Sequence, residues 1–417
     1  MKQIIIEGNK TLTGTINIGG AKNSAVALIP AAIMADGELI IENVPNISDR
    51  DALIEIINLL NAEVINKGTE IIIDTTNIKN AVIPEVLSNK LRASYYFMGA
   101  LLGKYNHVEI FFPGGCNIGA RPIDLHLKGF EALGATVTKE DTKYIIDAKE
   151  LIGTDIYLDF ASVGATINIM FAATKAKGKT VIYNAAREAE ISNIGEFLNN
   201  MGASITGLGT SEITINGVSS LHSAKIEVIP DRIEAGTYII MGALLGDNLV
   251  IKGIVPEHIR VLLSKLKEMG VKFKLEKNQI TLNKFTKLKP VNIRTVVYPG
   301  FPTDLGQPMA VLLTQATGIS LFEETIWENR MGHVKYLNMM GANIDAERQH
   351  AKITGPTKLF GKEITATDLR AGAALVTAGL IAEGTTIIND VEHILRGYER
   401  IINKLSDVGA KIKIIEV

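Results

Sequence analysis

The 417-residue sequence predicts an α/β fold of six similar units, each of about 70 residues, with helices buried and sheets outside. Three features predict it. One short phrase recurs six times at near-constant spacing, a second phrase interleaves with it, and the helical stretches between them carry almost no charge. Self-similarity at a fixed period is the mark of a fold built from copies of one supersecondary unit.

The first phrase is an aliphatic residue, then Gly-Ala or a near relative, then a β-rich pair. In chain order it begins as a degraded copy, Leu60-Asn61-Ala62-Glu63-Val64. It continues as Leu133-Gly134-Ala135-Thr136-Val137, Met201-Gly202-Ala203-Ser204-Ile205, Met269-Gly270-Val271-Lys272-Phe273, Met340-Gly341-Ala342-Asn343-Ile344 and Val408-Gly409-Ala410-Lys411-Ile412. The second position falls at 61, 134, 202, 270, 341 and 409, at intervals of 73, 68, 68, 71 and 68.

The second phrase is a helical apolar stretch closed by Gly or Asn and followed by a β-rich run. Its copies are Met34 to Ile40 around Gly37, Lys104 to Ile110 around Asn106, and Lys177 to Ile182 around Gly178. They continue as Leu245 to Val250 around Gly246, Thr317 to Leu321 around Gly318, and Glu383 to Ile387 around Gly384. A Gly after an apolar helix reads as a left-handed C-cap, and the β-branched run after it as a strand. Each unit is therefore helix, strand, helix, strand, with a further strand before the next copy. The stretches Thr166 to Ala173 and Gly236 to Leu244 contain no charge. A helix apolar on every side is a buried helix, which places helices inside.

Composition bounds the rest. Hydrophobic residues make up 47% and charged residues 21%, enough for large packed cores, and the length calls for more than one domain. A net charge of −2, from 43 basic and 45 acidic residues, leaves no footprint for nucleic acid or an anionic membrane. Three apolar residues, Ile4 to Ile6, are too few for a signal peptide, and an apolar run such as Ala371 to Ala382 is too short to cross a bilayer. A single cysteine excludes an internal disulfide. These points lead to the expectation of a cytoplasmic protein without membrane insertion. The seven histidines show no metal-ligand spacing, and there is no Walker loop or dinucleotide fingerprint, so neither metal nor cofactor is expected.

Chemistry should gather where the first helices begin. The six entry loops are Gly20 to Ser24, Leu91 to Ser94, Ala161 to Gly164, Pro230 to Glu234, Pro302 to Leu305 and Thr367 to Arg370. Helix N-termini attract anions through free N–H groups and the helix dipole. Ser, Thr and Asp at these places also serve as caps, but Lys22, Arg92 and Arg370 are poor caps. With Arg232 they suit a multiply phosphorylated ligand. Cys116 lies in a loop with three glycines and two prolines, Phe112 to His126, close to Arg121. A cationic neighbour lowers a thiol pKa and makes it reactive. Further loops of this class hold Arg187-Glu188, Trp327 to Arg330 and Arg396 to Arg400.

Six segments taken together resemble the UDP-N-acetylglucosamine 1-carboxyvinyltransferase family. They are Gly20-Ala21-Lys22-Asn23-Ser24, Leu91-Arg92-Ala93-Ser94, Pro113 to His126, Pro230 to Glu234, Phe301-Pro302-Thr303-Asp304 and Arg396-Gly397-Tyr398-Glu399-Arg400. The resemblance runs in order along the whole chain, and the Cys116 segment is its most specific part. It implies a two-domain inside-out α/β barrel, the first domain being 22–229 and the second 1–21 with 230–417, the active site lying in the cleft between them. It implies transfer of the enolpyruvyl group of phosphoenolpyruvate to the 3′-hydroxyl of UDP-N-acetylglucosamine, the first committed step of peptidoglycan synthesis and the target of fosfomycin.

The site roles follow from the same resemblance. Lys22 and Asn23 contact phosphoenolpyruvate, and Lys22, Arg121 and Arg396 hold its phosphate. Cys116 protonates the methylene carbon and can attach covalently to the substrate. Asp304 lies at the sugar hydroxyl as base or orienter. Arg92, Arg121, Pro122, Ile123, Asp124, Leu125, Ser162, Val163, Gly164, Asp304 and Ile326 bind the UDP-sugar, Arg232 and Arg330 are further substrate-binding residues, and Asp368 and Arg370 complete the reacting centre. The sequence departs from the family pattern at Phe160, where a Lys is common, at Tyr96, often Trp, and at Trp327, often Phe. Two other readings compete: an enolpyruvyl transferase of the shikimate type, which lacks this Cys loop, and a non-catalytic relative that binds the UDP-sugar.

Overall fold

The structure, a computed structural model, describes residues 2–114 and 122–416. These form two compact units, one of residues 2–19 and 230–416, the other of residues 20–114 and 122–229. Each unit has its own hydrophobic core.

The unit of residues 20–229 contains three sheets that share one plan: a parallel pair, then two antiparallel neighbours. The first runs His222–Glu227, Asp36–Glu42, Glu70–Asp74, Glu63–Lys67. The second runs His107–Phe111, Lys143–Asp147, Thr136–Lys139, and a bridge from Ile83 to Ile110 stands where the parallel strand would be. The third runs Asp155–Tyr157, Lys179–Tyr183, Glu212–Asn216, Ser204–Thr206.

The other unit repeats the plan. Its sheets run Leu12–Asn17, Gly246–Lys252, Gln279–Leu282, Phe273–Leu275; then Ile293–Arg294, Gly318–Glu323, His350–Gly355, Asn343–Glu347; then Glu363–Thr365, Thr385–Asn389, Lys2–Glu7, Lys411–Glu416. The N-terminal strand Lys2–Glu7 thus fills the place that a return strand after Lys411–Glu416 would take. None of these sheets closes on itself among the described residues.

The four copies from Tyr96–Tyr105 to Thr303–Leu313 each carry one strand more than the repeat predicts. The strand after the first phrase turns straight back, as Glu63–Lys67 does into Glu70–Asp74 through Gly68 at φ 81°. No helix separates the two arms of such a hairpin, so a helix–strand alternation counts them once.

The first helices of the copies are Lys22–Ala32, Tyr96–Tyr105, Val163–Thr174, Arg232–Leu245, Thr303–Leu313 and Leu369–Ile381. Every residue from Gly164 to Thr174 and from Ile233 to Leu244 is buried. Within each unit these helices pack on one another. The second helices are half-exposed. In Arg260–Met269 only Leu262, Leu263, Leu266 and Met269 are buried, the stripe of an amphipathic helix lying over a core.

All six second positions of the first phrase adopt positive φ, from 63° at Asn61 to 107° at Gly341. Asn is the non-glycine residue that best tolerates this region, so the degraded first copy keeps the same backbone turn. In the second phrase Gly246 departs from the expected left-handed cap, with φ −65°. Its helix runs directly into the strand, and a Cβ there would lie 2.6 Å from the Gly242 carbonyl oxygen and 2.9 Å from that of Leu282. Close approach, not left-handed geometry, requires glycine at that position.

Candidate active site

In the unit of residues 20–229, Lys22 opens the helix Lys22–Ala32, whose N-cap, Ala21, gives no side-chain cap bond. The Lys22 ammonium is ion-paired with Asp49 at the start of Ser48–Leu59, and both side chains are buried. Asn23 is half-buried beside it. Ser24 donates to Asn193 Oδ1, and the Asn193 amide donates to the Glu227 carbonyl at 3.0 Å. The start of this helix is thus tied to the end of the strand His222–Glu227.

Arg92 begins the turn Arg92–Tyr95 and lies 5.9 Å from the centre of the Tyr95 ring. Tyr95 meets the His126 ring edge-on at 5.0 Å. The Gly99 N–H donates to Asn168 Oδ1 at 2.7 Å, which fixes the orientation of that amide. Asn168 Nδ2 therefore donates to His126 Nδ1 at 3.0 Å, leaving the imidazole proton on Nε2. Burial, reinforced by Arg92, pushes the His126 pKa down to about 3, so the ring is neutral. Gly164 sits against this pair: a Cβ would come within 2.8 Å of His126 Cε1 and of the Tyr95 hydroxyl.

Ser162 caps the helix Val163–Thr174 by accepting from the Ala165 N–H at 3.3 Å, and Ser162 and Val163 remain partly exposed. An uncharged helix start of this kind presents N–H groups to an anion. Pro122 and Asp124 are exposed, Leu125 half-buried and Ile123 buried at the start of Asp124–Ala132. Cys116 and Arg121 lie outside the described residues.

In the other unit, Asp304 stands in the first turn of Thr303–Leu313. Arg330 donates to its Oδ1 at 2.8 Å and Arg370 to its Oδ2 at 3.0 Å. The arginine side chains are 5% and 4% exposed against 24% for Asp304, so the carboxylate stays open while its partners are locked behind it. Burial alone would raise the Asp304 pKa, but Arg370 and Arg330 outweigh it and hold the carboxyl far below the ordinary range.

Asp368 caps Leu369–Ile381, accepting from the Arg370 and Ala371 N–H groups at 2.9 and 3.0 Å. Gln307 donates to the Arg330 carbonyl at 3.1 Å and reaches Asp368 at 3.4 Å. Asp231 caps Arg232–Leu245 through the Ile233 and Glu234 N–H groups, and Arg232 lies 5.5 Å from the Tyr298 ring centre. Of the six entry loops, then, three carry side-chain caps, from Ser162, Asp231 and Asp368. Arg396 ends the short helix Glu392–Leu395 and is half-buried.

Sequence reasoning gave no role to several residues that hold these groups. Glu324, buried, accepts from the Ile326 N–H at 2.8 Å and from Thr303 Oγ1 at 2.7 Å, joining the Ile326 loop to the helix of Asp304. Asp49 and Asn168 act likewise for Lys22 and His126. The one signal available was an ionisable or amide residue in an otherwise apolar or capped position.

Comparison with known proteins finds relatives of the whole chain. Residues 6–405 match the family model described as EPSP synthase (3-phosphoshikimate 1-carboxyvinyltransferase). The chain is 51% identical over 410 residues to a UDP-N-acetylglucosamine 1-carboxyvinyltransferase 2 of Listeria monocytogenes, covering 98% of this chain and 97% of the relative. It is 51% identical over 419 residues to one of Streptococcus thermophilus, covering both chains fully at 100%. Among solved structures it resembles the enolpyruvyl transferase NikO from Streptomyces tendae, with a TM-score of 0.91 at 26% identity over 100% of this chain and 99% of that one. EPSP synthase of Acinetobacter baumannii shares the fold, with a TM-score of 0.77 at 18% identity and full coverage, 100%, of both chains.

Proposed function

From the premise that this chain belongs to the UDP-N-acetylglucosamine 1-carboxyvinyltransferase family, within the wider EPSP synthase family, we propose how its residues carry out the reaction. The chain is a transferase that moves the enolpyruvyl group of phosphoenolpyruvate to the 3′-hydroxyl of UDP-N-acetylglucosamine and releases phosphate. The reaction is the first committed step of peptidoglycan synthesis, in the cytoplasm. Residues of both units serve it, each unit being an inside-out arrangement of three similar copies.

The observation that carries the reading is the Asp304 carboxylate, open at 24% of its surface and gripped oxygen by oxygen by two buried arginines. A carboxylate held this firmly ionised is suited to accept a hydrogen bond from the sugar hydroxyl and aim it at the carbon bearing the phosphate. Its depressed pKa makes it an orienter first and a weak base at most. Cys116 donates the proton to the methylene carbon, and the hydroxyl oxygen adds to the neighbouring carbon as its own proton passes by way of Asp304 to solvent. The tetrahedral adduct then returns a methyl proton to the Cys116 thiolate, re-forms the carbon–carbon double bond and expels phosphate. Lys22, Arg121 and Arg396 hold the departing phosphate, and Asn23 holds the phosphoenolpyruvate.

Arg92, Arg121 to Leu125, Ser162 to Gly164, Arg232 and Ile326 bind the UDP-sugar, and Arg330 serves it from behind by holding Asp304. The capped, uncharged start of Val163–Thr174 supports this for the diphosphate. Asp368 fixes the backbone under Arg370. Phosphate release from phosphoenolpyruvate tests the reading. It should require UDP-N-acetylglucosamine; release with shikimate 3-phosphate in its place would move the chain to the shikimate type.

A further inference from the structure

Arg370 meets Asp304 on one side and Tyr398 on another. Its Nη2 donates to Asp304, whereas Nη1 makes no hydrogen bond among the described residues. The Tyr398 side chain lies against the guanidinium, its ring centre 5.3 Å from the guanidinium carbon and its hydroxyl in polar contact with the arginine. Tyr398 is 1% exposed, so this contact is dry. Its hydroxyl lies 2.9 Å from Thr237 Oγ1, and Thr237 Oγ1 lies 2.9 Å from the Ile233 carbonyl oxygen. Thr237 has one proton and gives it to that carbonyl, so the Tyr398 O–H must be the donor to Thr237. The direction of the chain is thereby set: tyrosine to threonine to the first turn of Arg232–Leu245. Tyr398 also sits two residues after Arg396, in the turn that follows Glu392–Leu395.

We propose that Tyr398 is a positioning residue for the reaction: its side chain, anchored on Thr237 through the hydroxyl, holds the Arg370 guanidinium in place against Asp304. This rests on the reaction proposed above. An aromatic ring within about 6 Å of a guanidinium attracts it and restrains its movement, and the attraction is stronger where water is excluded. One buried tyrosine thereby links three segments that carry site arginines: the helix of Arg232, the helix of Arg370 and the turn of Arg396. A misplacement of about 1 Å at such a group can cost on the order of 100-fold in rate, so a residue without substrate contact can govern turnover.

The test uses the full chain and three variants. Tyr398→Phe keeps the ring and removes the donor, Thr237→Val removes the acceptor, and the third combines both. The expected result is a fall in kcat of about 5- to 20-fold for either single variant, with KM for UDP-N-acetylglucosamine within about twofold. The double variant should be no worse than the worse single one, because one link is being broken, and Tm should move by only a few degrees. Slowed rotation of the Arg370 Nη groups, read by 15N NMR with Arg370→Lys for assignment, should be present in wild type and lost in Tyr398→Phe. Wild-type kcat in both single variants would overturn the proposal. So would losses that multiply in the double variant and track a fall in Tm, or an Arg370 signal unchanged in Tyr398→Phe. A wild-type protein that releases no phosphate would overturn the reaction instead, and the NMR result would still decide the role of Tyr398.

Discussion

The Arg370 guanidinium holds one oxygen of the Asp304 carboxylate at 3.0 Å while only 4% of the arginine side chain is exposed. Burial opposes the charge on Asp304, but Arg370 and then Arg330 overcome that and depress its pKa. A depressed carboxylate contributes stability above its unfolded value of about 3.9, lost only as pH falls through the lower folded value. Between about pH 5.5 and 9 the rate profile should therefore show no ionisation belonging to Asp304. Asp304→Asn should lower kcat by about 10²- to 10⁴-fold. Asp304→Ala should also destabilise by about 3 kcal/mol, because two buried cations lose their counter-charge. Steady-state kinetics against pH and urea unfolding check the three statements.

Lys22 and Asp49 form a second buried pair, with 10% and 9% of their side chains exposed. Asp49→Ala removes this counter-charge from the ammonium and should cost about 3 kcal/mol. For a unit of this size that is a fall in Tm of roughly 10 °C. Asp49→Asn keeps an acceptor for the ammonium and should cost less than half as much. Calorimetry on the two variants side by side gives the comparison.

His126 is neutral, and it makes the fold sensitive to acid. Its folded pKa of about 3 lies below the unfolded value of about 6.5. Below the unfolded value the unfolded chain binds a proton that the folded one refuses, so stability falls as pH drops from about 6.5 toward 3. Burial gives His333 the same behaviour, with a folded pKa of about 4. His126→Gln should flatten the acid slope of the unfolding free energy by about one proton, leaving the His333 part. Urea titrations from about pH 4 to 7 measure that slope.

Cys116 is expected to supply the proton to carbon. Cys116→Ser should nearly abolish turnover while Tm and the circular dichroism spectrum stay at wild-type values. Cys116→Asp should remain active, since a carboxylic acid can also donate, and should resist fosfomycin. Normal turnover in the Ser variant would remove the thiol from the mechanism.

Much of the fold was legible because its local geometry repeats. Asn61 marks the first copy despite the lost Gly, since Asn reaches the same left-handed turn, at φ 63°. The return strand of each hairpin was not legible, because no helix announces it and its residues read as part of the strand before. The entry loops stood out because Lys22, Arg92 and Arg370 are poor caps. Their partners did not stand out: Asp49 lies 27 residues from Lys22 and Asp304 lies 66 from Arg370, and only folding joins them. Tyr398 was part of a recognised motif, yet its contact with Arg370 is a tertiary fact that no local pattern encodes.

The most direct measurement of the central claim is phosphate release by the full chain supplied with phosphoenolpyruvate and UDP-N-acetylglucosamine, with and without fosfomycin, alongside intact-mass detection of Cys116 alkylation. The expected result is one phosphate per phosphoenolpyruvate consumed, strict dependence on the UDP-sugar, and loss of release in proportion to alkylated Cys116. A folded protein that releases no phosphate with both substrates, or that keeps full turnover after Cys116 is alkylated, would contradict the account.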